Sequence, residues 1–257
     1  MSNENMKMLH VGLKSGEVGE YVFLPGSPER STKISKYFDN PKKMAQNREH
    51  LTYTGYLDGV KVSVTSTGMG GPSTAIVVEE LAKLGAKTFI RVGTCASTSK
   101  DVEIGDVVIP NGAVKMEGTS SHYIPVEYPA VPDYFMLKHL EKAAINRKYK
   151  YIIAPTIAKD SFYTQTEPET KPVSYELINK WQAYEKSGAK STEMESATLF
   201  AVSSTLKGCR AATVLVSATN YKAYSSDAKT YPTDLEERAI LTAIDAMKEI
   251  IKEDLNK

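Results

Sequence analysis

Three short segments carry residues whose types and spacing could do chemistry. Arg91 interrupts an apolar run, Phe89-Ile90-Arg91-Val92-Gly93. A charge inside such a strand is costly unless something meets it. It stands at the C-terminal end of the run, where open α/β sheets bind ligands. A buried acidic side chain is the other partner it could have. Pro25-Gly26-Ser27-Pro28-Glu29-Arg30 reads as a strand-to-helix turn. Its backbone N–H groups can face an anion at a helix N-terminus, with Arg30 beside them; a plain turn with a surface arginine fits the same residues. Glu193-Met194-Glu195-Ser196 opens a predicted helix that continues through Ala197, Thr198, Leu199 and Phe200. Carboxylates in a first turn suit the helix dipole. Glu195, however, sits among residues expected to be buried, and a buried carboxylate can grip two vicinal hydroxyls such as those of a ribose.

Other chemistries lack their signatures. There is no Gly-x-Gly-x-x-Gly run and no Gly-Lys-Ser/Thr loop, which argues against dinucleotide enzymes and P-loop NTPases. The four histidines, His10, His50, His122 and His139, form no metal-ligand spacing, and no cysteine cluster exists. Gly-x-Ser-x-Gly is absent. The 32 basic and 31 acidic residues leave a formal charge of +1, which gives no reason to expect nucleic acid or an anionic membrane as partner. Cys95 and Cys209 read as reduced thiols. Met1 to Lys14 is polar and lacks an apolar signal core, and no stretch reaches the roughly 20 apolar residues of a membrane helix. A cytoplasmic protein is expected.

The elements that must position these residues alternate between β-like runs and helical patterns. Tyr21 to Leu24 is an apolar run that ends at Pro25-Gly26, and helical potential follows from Pro28 to Phe38. Leu51 to Tyr56 and Lys61 to Ser66 flank Asp58-Gly59, a hairpin pattern. Pro72 suits the first turn of a helix in which Ile76, Val77, Leu81 and Leu84 share a face and Gly85 stops the helix. Thr88–Val92, Val107–Ile109, Tyr151–Ala154 and Ala212–Val216 read as strands. Asp133–Ala144, Tyr175–Tyr184 and Glu193–Leu206 read as helices. A last helix begins at Thr233-Asp234-Leu235-Glu236 with capping-box spacing and an apolar stripe of Leu235, Ile240, Ile244, Met247 and Ile251. The 257 residues, 41% hydrophobic and 25% charged, show no break or linker, so one α/β domain over 1–257 with a mixed central sheet flanked by helices is expected.

Taken in order, these segments form a pattern. Leu24 to Arg30, Asn47-Arg48-Glu49, Ser66-Thr67-Gly68-Met69-Gly70-Gly71-Pro72-Ser73, Phe89 to Thr94, Phe162-Tyr163 and Glu193 to Ala197 resemble the hexameric nucleoside phosphorylases of the uridine phosphorylase type. The resemblance runs from about His10 to the last helix. Pro125 to Val131 and Pro172 to Leu177 resemble the uridine rather than the purine branch. It implies phosphate-dependent cleavage of uridine to uracil and ribose 1-phosphate, with inorganic phosphate as co-substrate and no organic cofactor. Gly26, Arg30, Arg91 and Thr94 would bind phosphate, completed by Arg48 of a neighbouring subunit. Met194 and Glu195 would hold the ribose, with His10 of the neighbour over its 5′-hydroxyl. Cys95, Ala96, Phe162, Gln165 and Asn220 would line the base. Glu49, Met69 and Ser73 match positions that form a monovalent-cation (K+) site between subunits in some relatives. Arg91, Glu195 and Arg30 would carry the reaction. The partners implied are nucleoside, phosphate and further copies of the chain, in a dimer or a homohexamer.

The base pocket departs from that pattern. Many relatives have Gly where Ala96 stands, and a methyl there narrows the pocket or tilts the base. Gln165 can serve as the family's uracil-binding Gln, but the expected Arg is replaced by Thr170 beside Lys171, and another branch's Arg lies near Tyr221, where this chain reads Asn220-Tyr221-Lys222. Lys does not reproduce the guanidinium fork. Purine-cleaving relatives place an Asp where Asn220 is the best match. A purine nucleoside phosphorylase and a catalytically silent nucleoside-binding relative are therefore the alternatives.

Overall fold

The computed structural model describes residues 7–220 and 235–256. In chain order the elements are β1 (Tyr21–Pro25), α1 (Pro28–Ser35), β2 (Asp39–Asn47), β3 (His50–Leu57), β4 (Val60–Thr65), α2 (Gly71–Lys83), β5 (Thr88–Ser97), β6 (Val107–Ile109), β7 (Ala113–Met116), α3 (Tyr134–Asn146), β8 (Tyr151–Ile153), β9 (Thr156–Lys159), α4 (Tyr163–Thr166), α5 (Ser174–Lys186), β10 (Ser191–Glu193), α6 (Ser196–Thr205), β11 (Arg210–Asn220) and α7 (Leu235–Leu255). The strands join in one mixed sheet flanked by helices, as the alternating pattern requires.

β5 is the axis of the sheet. On one side it pairs in parallel with β11 along its whole length. On the other side β1 runs parallel to it only as far as Pro25 opposite Val92, and β10 joins antiparallel at Ala96 and Ser97. Between these two partners the register leaves Gly93, Thr94 and Cys95 without a strand neighbour. Beyond β1 the order continues through β4, β3 and β2, and beyond β10 through β9 and β7. β6 and β8 extend the β11 side.

Side chains alternate across the sheet with period two. Ile90 and Val92 of β5 enter a core with α3 and α7, whereas Phe89 enters a second core with α2 and α6. Arg91 shares the face of Phe89 and so is aimed toward the start of α6. The stripe of Leu235, Ile240, Ile244, Met247 and Ile251 on α7 is buried, as its spacing predicts. Thr233 and Asp234, which would cap α7, lie outside the described residues.

The hairpin forms with Asp58 and Gly59 at φ 50° and 81°, the left-handed pair of its two-residue turn. α2 buries Val77, Val78 and Leu81, but Ile76 is 36% exposed. One residue turns the helix by about 100°, so Ile76 stands off the face that Val77, Val78 and Leu81 share. β2 has no apolar alternation to announce it: Asp39-Asn40-Pro41-Lys42-Lys43 is polar and exposed, and the strand sits at the sheet edge with two register shifts against β3. Lysines and bulges of this kind keep an edge from recruiting another chain. Glu193 ends a strand rather than opening a helix, and α6 begins at Ser196.

Candidate active site

The opening in the sheet beside Gly93, Thr94 and Cys95 forms the floor of a cavity of about 730 Å³, walled by the β1–α1 turn, the end of β9, the β10–α6 junction and the end of β11. β5, β9, β10 and β11 bring residues at or near their C-terminal ends to it, as does the turn after β1, the place where α/β sheets bind ligands.

Arg91 enters this cavity from β5. Its Nε donates to Glu193 Oε2 at 2.9 Å, and its Nη2 lies 2.5 Å from Glu195 Oε2. The guanidinium folds back over Gly93, where a Cβ would come within 2.9 Å of Nη2 and 2.8 Å of Leu215. Both expectations for Arg91 thus hold together: it has acidic partners, and it lines a cavity. Glu193 accepts the N–H groups of Glu195 at 2.9 Å and of Ser196 at 3.0 Å, so it caps α6 while pairing with Arg91. Burial pushes its carboxyl up against the pull of Arg91. Glu195 Oε1 accepts the Gly70 N–H at 2.6 Å.

The β1–α1 turn supplies the opposite wall. Ser27 caps α1, with its Oγ accepting the Arg30 N–H at 3.3 Å, and Pro28 takes the first helical position. Arg30 is buried. Its Nη2 donates to Glu236 at 2.6 Å and its Nη1 to the Val92 carbonyl at 3.3 Å. Arg30 Nε and Arg91 Nη1 are buried and have no partner among the described residues. Each unmet buried donor costs about 1–3 kcal/mol. Both belong to residues that line the same cavity, together with Gly26 and Thr94. An oxyanion with several acceptor oxygens is the ligand that suits such a pair of guanidinium groups.

Part of the cavity wall is uncharged. Met194, Cys95, Ala96, Phe162, Gln165 and Thr192 belong to it. β11 carries a register shift between Ser217 and Thr219, and Ala218 and Thr219 face the cavity from it. The Cys95 thiol is buried, and burial pushes its ionisation well up, so it acts as a small apolar wall. Lys159 ends β9 here, 4% exposed, its Nζ 3.1 Å from Thr192 Oγ1 and 5.5 Å from the centre of the Phe162 ring. Sequence reasoning missed Lys159. The signal is a faint one: Thr156-Ile157-Ala158-Lys159 is a four-residue strand that ends on a cation.

Residues 20–253 match the family model described as the phosphorylase superfamily. The chain belongs to the phosphorylase superfamily. The uridine phosphorylase of Treponema pallidum is 45% identical over 245 residues, covering 95% of each chain. The uridine phosphorylase of Thermococcus kodakarensis is 51% identical over a shorter stretch, 60% of this chain and 56% of that one. The guanosine phosphorylase of Halorubrum lacusprofundi is 36% identical over 91% of this chain and 92% of its own.

Within this phosphorylase chain the cavity brings together Gly26, Arg30, Arg91, Thr94, Cys95, Ala96, Phe162, Gln165, Met194 and Glu195, with Glu49 and Met69 at its rim. Other expected site residues stand apart from it. Arg48 is exposed in the β2–β3 turn with φ 52°. His10 is half-buried, its Nδ1 2.7 Å from Glu80 Oε1. Asn220 ends β11 opposite Ser97, outside the cavity lining. Ser73 Oγ lies 3.2 Å from Glu49 Oε1 and donates to the Thr67 carbonyl at 2.5 Å. Thr170 donates to the Glu167 carbonyl at 2.7 Å, and Lys171 Nζ lies 3.8 Å from the Glu167 carboxylate; neither lines the cavity. Tyr221 and Lys222 lie outside the described residues. Among the described residues no helix is long and apolar enough to cross a membrane, and no three His, Cys, Asp or Glu cluster as metal ligands.

Proposed function

We propose that the protein is a nucleoside phosphorylase that cleaves uridine with inorganic phosphate, releasing uracil and ribose 1-phosphate. The observation that carries this reading is the pair of unpartnered guanidinium donors, Arg30 Nε and Arg91 Nη1, in one cavity with the buried carboxylate of Glu195. A hydrolase has no use for two buried guanidinium groups aimed at an anion, whereas a phosphorolytic enzyme must hold its oxyanion nucleophile against the sugar.

The chemistry follows from the wall residues. Phosphate rests on Arg30, Arg91, Thr94 and the backbone of the Gly26 turn. Glu195 keeps a lone-pair direction on each oxygen and takes the ribose 2′- and 3′-hydroxyls. A phosphate oxygen forms the new bond to C1′ as the C1′–N bond breaks, and the bonding pair leaves with the base, which is protonated afterwards by solvent. The protein supplies position and electrostatics.

The site needs a second copy of the chain. Arg48 and His10 do not line this cavity and would complete a neighbour's, His10 being oriented by Glu80. Glu49 and Ser73 offer a carboxylate and a hydroxyl oxygen, part of the shell a monovalent cation between two copies would take. Residues 1–257 act as one domain in this reading. A 6-oxopurine nucleoside is the second reading, favoured by the likeness to a guanosine phosphorylase.

The test is to assay uridine, thymidine, inosine and adenosine with and without phosphate. Uridine cleavage is expected only with phosphate, with ribose 1-phosphate as product. Equal cleavage in phosphate-free buffer would overturn phosphorolysis, and a preference for inosine over uridine would move the protein to the second reading.

A further inference from the structure

We propose that Lys159 is the cationic donor to the nucleobase: its ammonium hydrogen-bonds a ring carbonyl and stabilises the negative charge the base takes up as the glycosidic bond breaks. This rests on the nucleoside phosphorylase reading above. It selects oxo-bases, whose carbonyl oxygen accepts a hydrogen bond where an amino group would present another donor.

Three observations lead here. The first is position. Lys159 is the last residue of β9 and lines the cavity with Phe162, Gln165 and Thr192. Its ammonium stands beside the Phe162 ring, the surface on which a base would pack.

The second is bonding. An ammonium has three N–H donors. Lys159 has one hydrogen-bond partner among the described residues, the Thr192 hydroxyl at 3.1 Å, and forms no ion pair with a described residue. A lysine kept only to balance Glu193 and Glu195 would touch them, but Arg91 already occupies both carboxylates at 2.9 and 2.5 Å. Burial draws the Lys159 ammonium down to about 8, against the raising effect of Glu193 and Glu195.

The third is the loss of other cations beside these residues. Thr170 does not line the cavity, and Lys171 pairs with Glu167 on the surface. Lys159 is the described cation next to Phe162 and Gln165.

The step balances without a further reactant. The C1′–N electron pair moves into the base ring and spreads onto its carbonyl oxygens. Lys159 keeps its proton and shortens its hydrogen bond to one of them, and solvent protonates the departed base. Losing one such donor costs about 10²–10³ in turnover.

The experiment compares wild type, Lys159→Met and Lys159→Arg on uridine, 5-fluorouridine and cytidine, with kcat and the KM for phosphate measured separately. Lys159→Met is expected to lower kcat for uridine about 100-fold and to leave the phosphate KM within about threefold. It should hurt 5-fluorouridine, whose base is a more stable anion, clearly less. Lys159→Arg should restore a large part of the rate. Thermal melts of both variants report folding, and Lys159→Gln replaces any variant that fails to fold. Unchanged uridine turnover in Lys159→Met, or the same factor lost on uridine and 5-fluorouridine, would overturn the role. If wild type does not cleave uridine with phosphate, the phosphorylase reading itself fails; if wild type does and Lys159→Met matches it, only the assignment of Lys159 falls.

Discussion

Glu195→Gln separates a residue that grips ribose from one that merely pairs with Arg91. Both carboxylate oxygens already accept: Oε1 from the Gly70 N–H at 2.6 Å, Oε2 from Arg91 Nη2 at 2.5 Å. Gln offers one oxygen and one NH2, so in either orientation a donor faces a donor. An unmet buried donor costs about 1–3 kcal/mol. Arg91 keeps Glu193 at 2.9 Å, which holds the loss below that of an ion pair left with no partner. We expect about 2 kcal/mol, or roughly 4–8 °C in Tm for a chain of this length. A hydrogen bond to a charged group contributes about 1.5–3 kcal/mol, so one lost ribose contact costs roughly 10- to 150-fold in kcat/KM. The assay is kcat/KM for uridine and 2′-deoxyuridine on both proteins, below the lower Tm. If Glu195 holds the 2′-hydroxyl, the substitution costs more on uridine than on 2′-deoxyuridine, and the difference is the coupling between carboxylate and hydroxyl. Equal losses on the two substrates would refute the ribose role.

Two further outcomes follow from the same geometry. The Lys159 ammonium falls from 10.5 to about 8 on burial, with Glu193, Glu195 and Cys95 as the groups acting on it in the opposite sense. A folded chain that binds fewer protons than the unfolded one gains stability as pH rises between those values, so the cost is full below about pH 8 and gone above about 10.5. At about 1.4 kcal/mol per unit this is roughly 3 kcal/mol; Lys159→Met should melt above wild type near pH 7, with the gap closing toward pH 10.5, and a gap independent of pH would contradict a strained ammonium. Shared sites predict subunit complementation: Arg48→Ala and Glu195→Gln proteins, each impaired, should regain activity when dissociated and reassembled together, because some sites then combine an intact Arg48 with an intact Glu195. No recovery in mixed assemblies of confirmed size would place Arg48 outside the site.

What the sequence discloses about the site depends on how much local pattern each residue has around it. Arg91 is conspicuous because a charge breaks a run long enough to be read as a strand, and the fold places it at the strand end that binds ligands. Lys159 obeys the same rule, but β9 has four residues and β10 three, too short for periodicity to mark them. The start of α6 misleads for a related reason. Glu193 and Glu195 look like first-turn acids, yet Glu193 ends β10 and caps the helix from outside, while Glu195 stands at the cap and turns its carboxylate to Gly70 and Arg91. The pairing that decides their chemistry joins residues about a hundred positions apart, and no local pattern encodes it.

The exchange of partners along β5 explains why the site is where it is. A strand paired on both edges for its whole length would have its backbone groups committed to neighbours. β1 stops at Val92 because Pro25 and Gly26 turn the chain into α1, and β10 is brought in beyond it, opposite Ala96. The gap between them is three residues wide, and each polar side chain at its edges is held by a different element: Arg30 by α1 and the Glu236 contact, Glu195 by the Gly70 N–H, Lys159 by Thr192. Charges of both signs are thereby fixed around one opening, with Arg91 at the centre already neutralised by two carboxylates. An incoming anion therefore finds its attraction in the unpartnered donors of Arg30 and Arg91, and the Arg48 that the proposal above takes from a neighbouring copy would add to it.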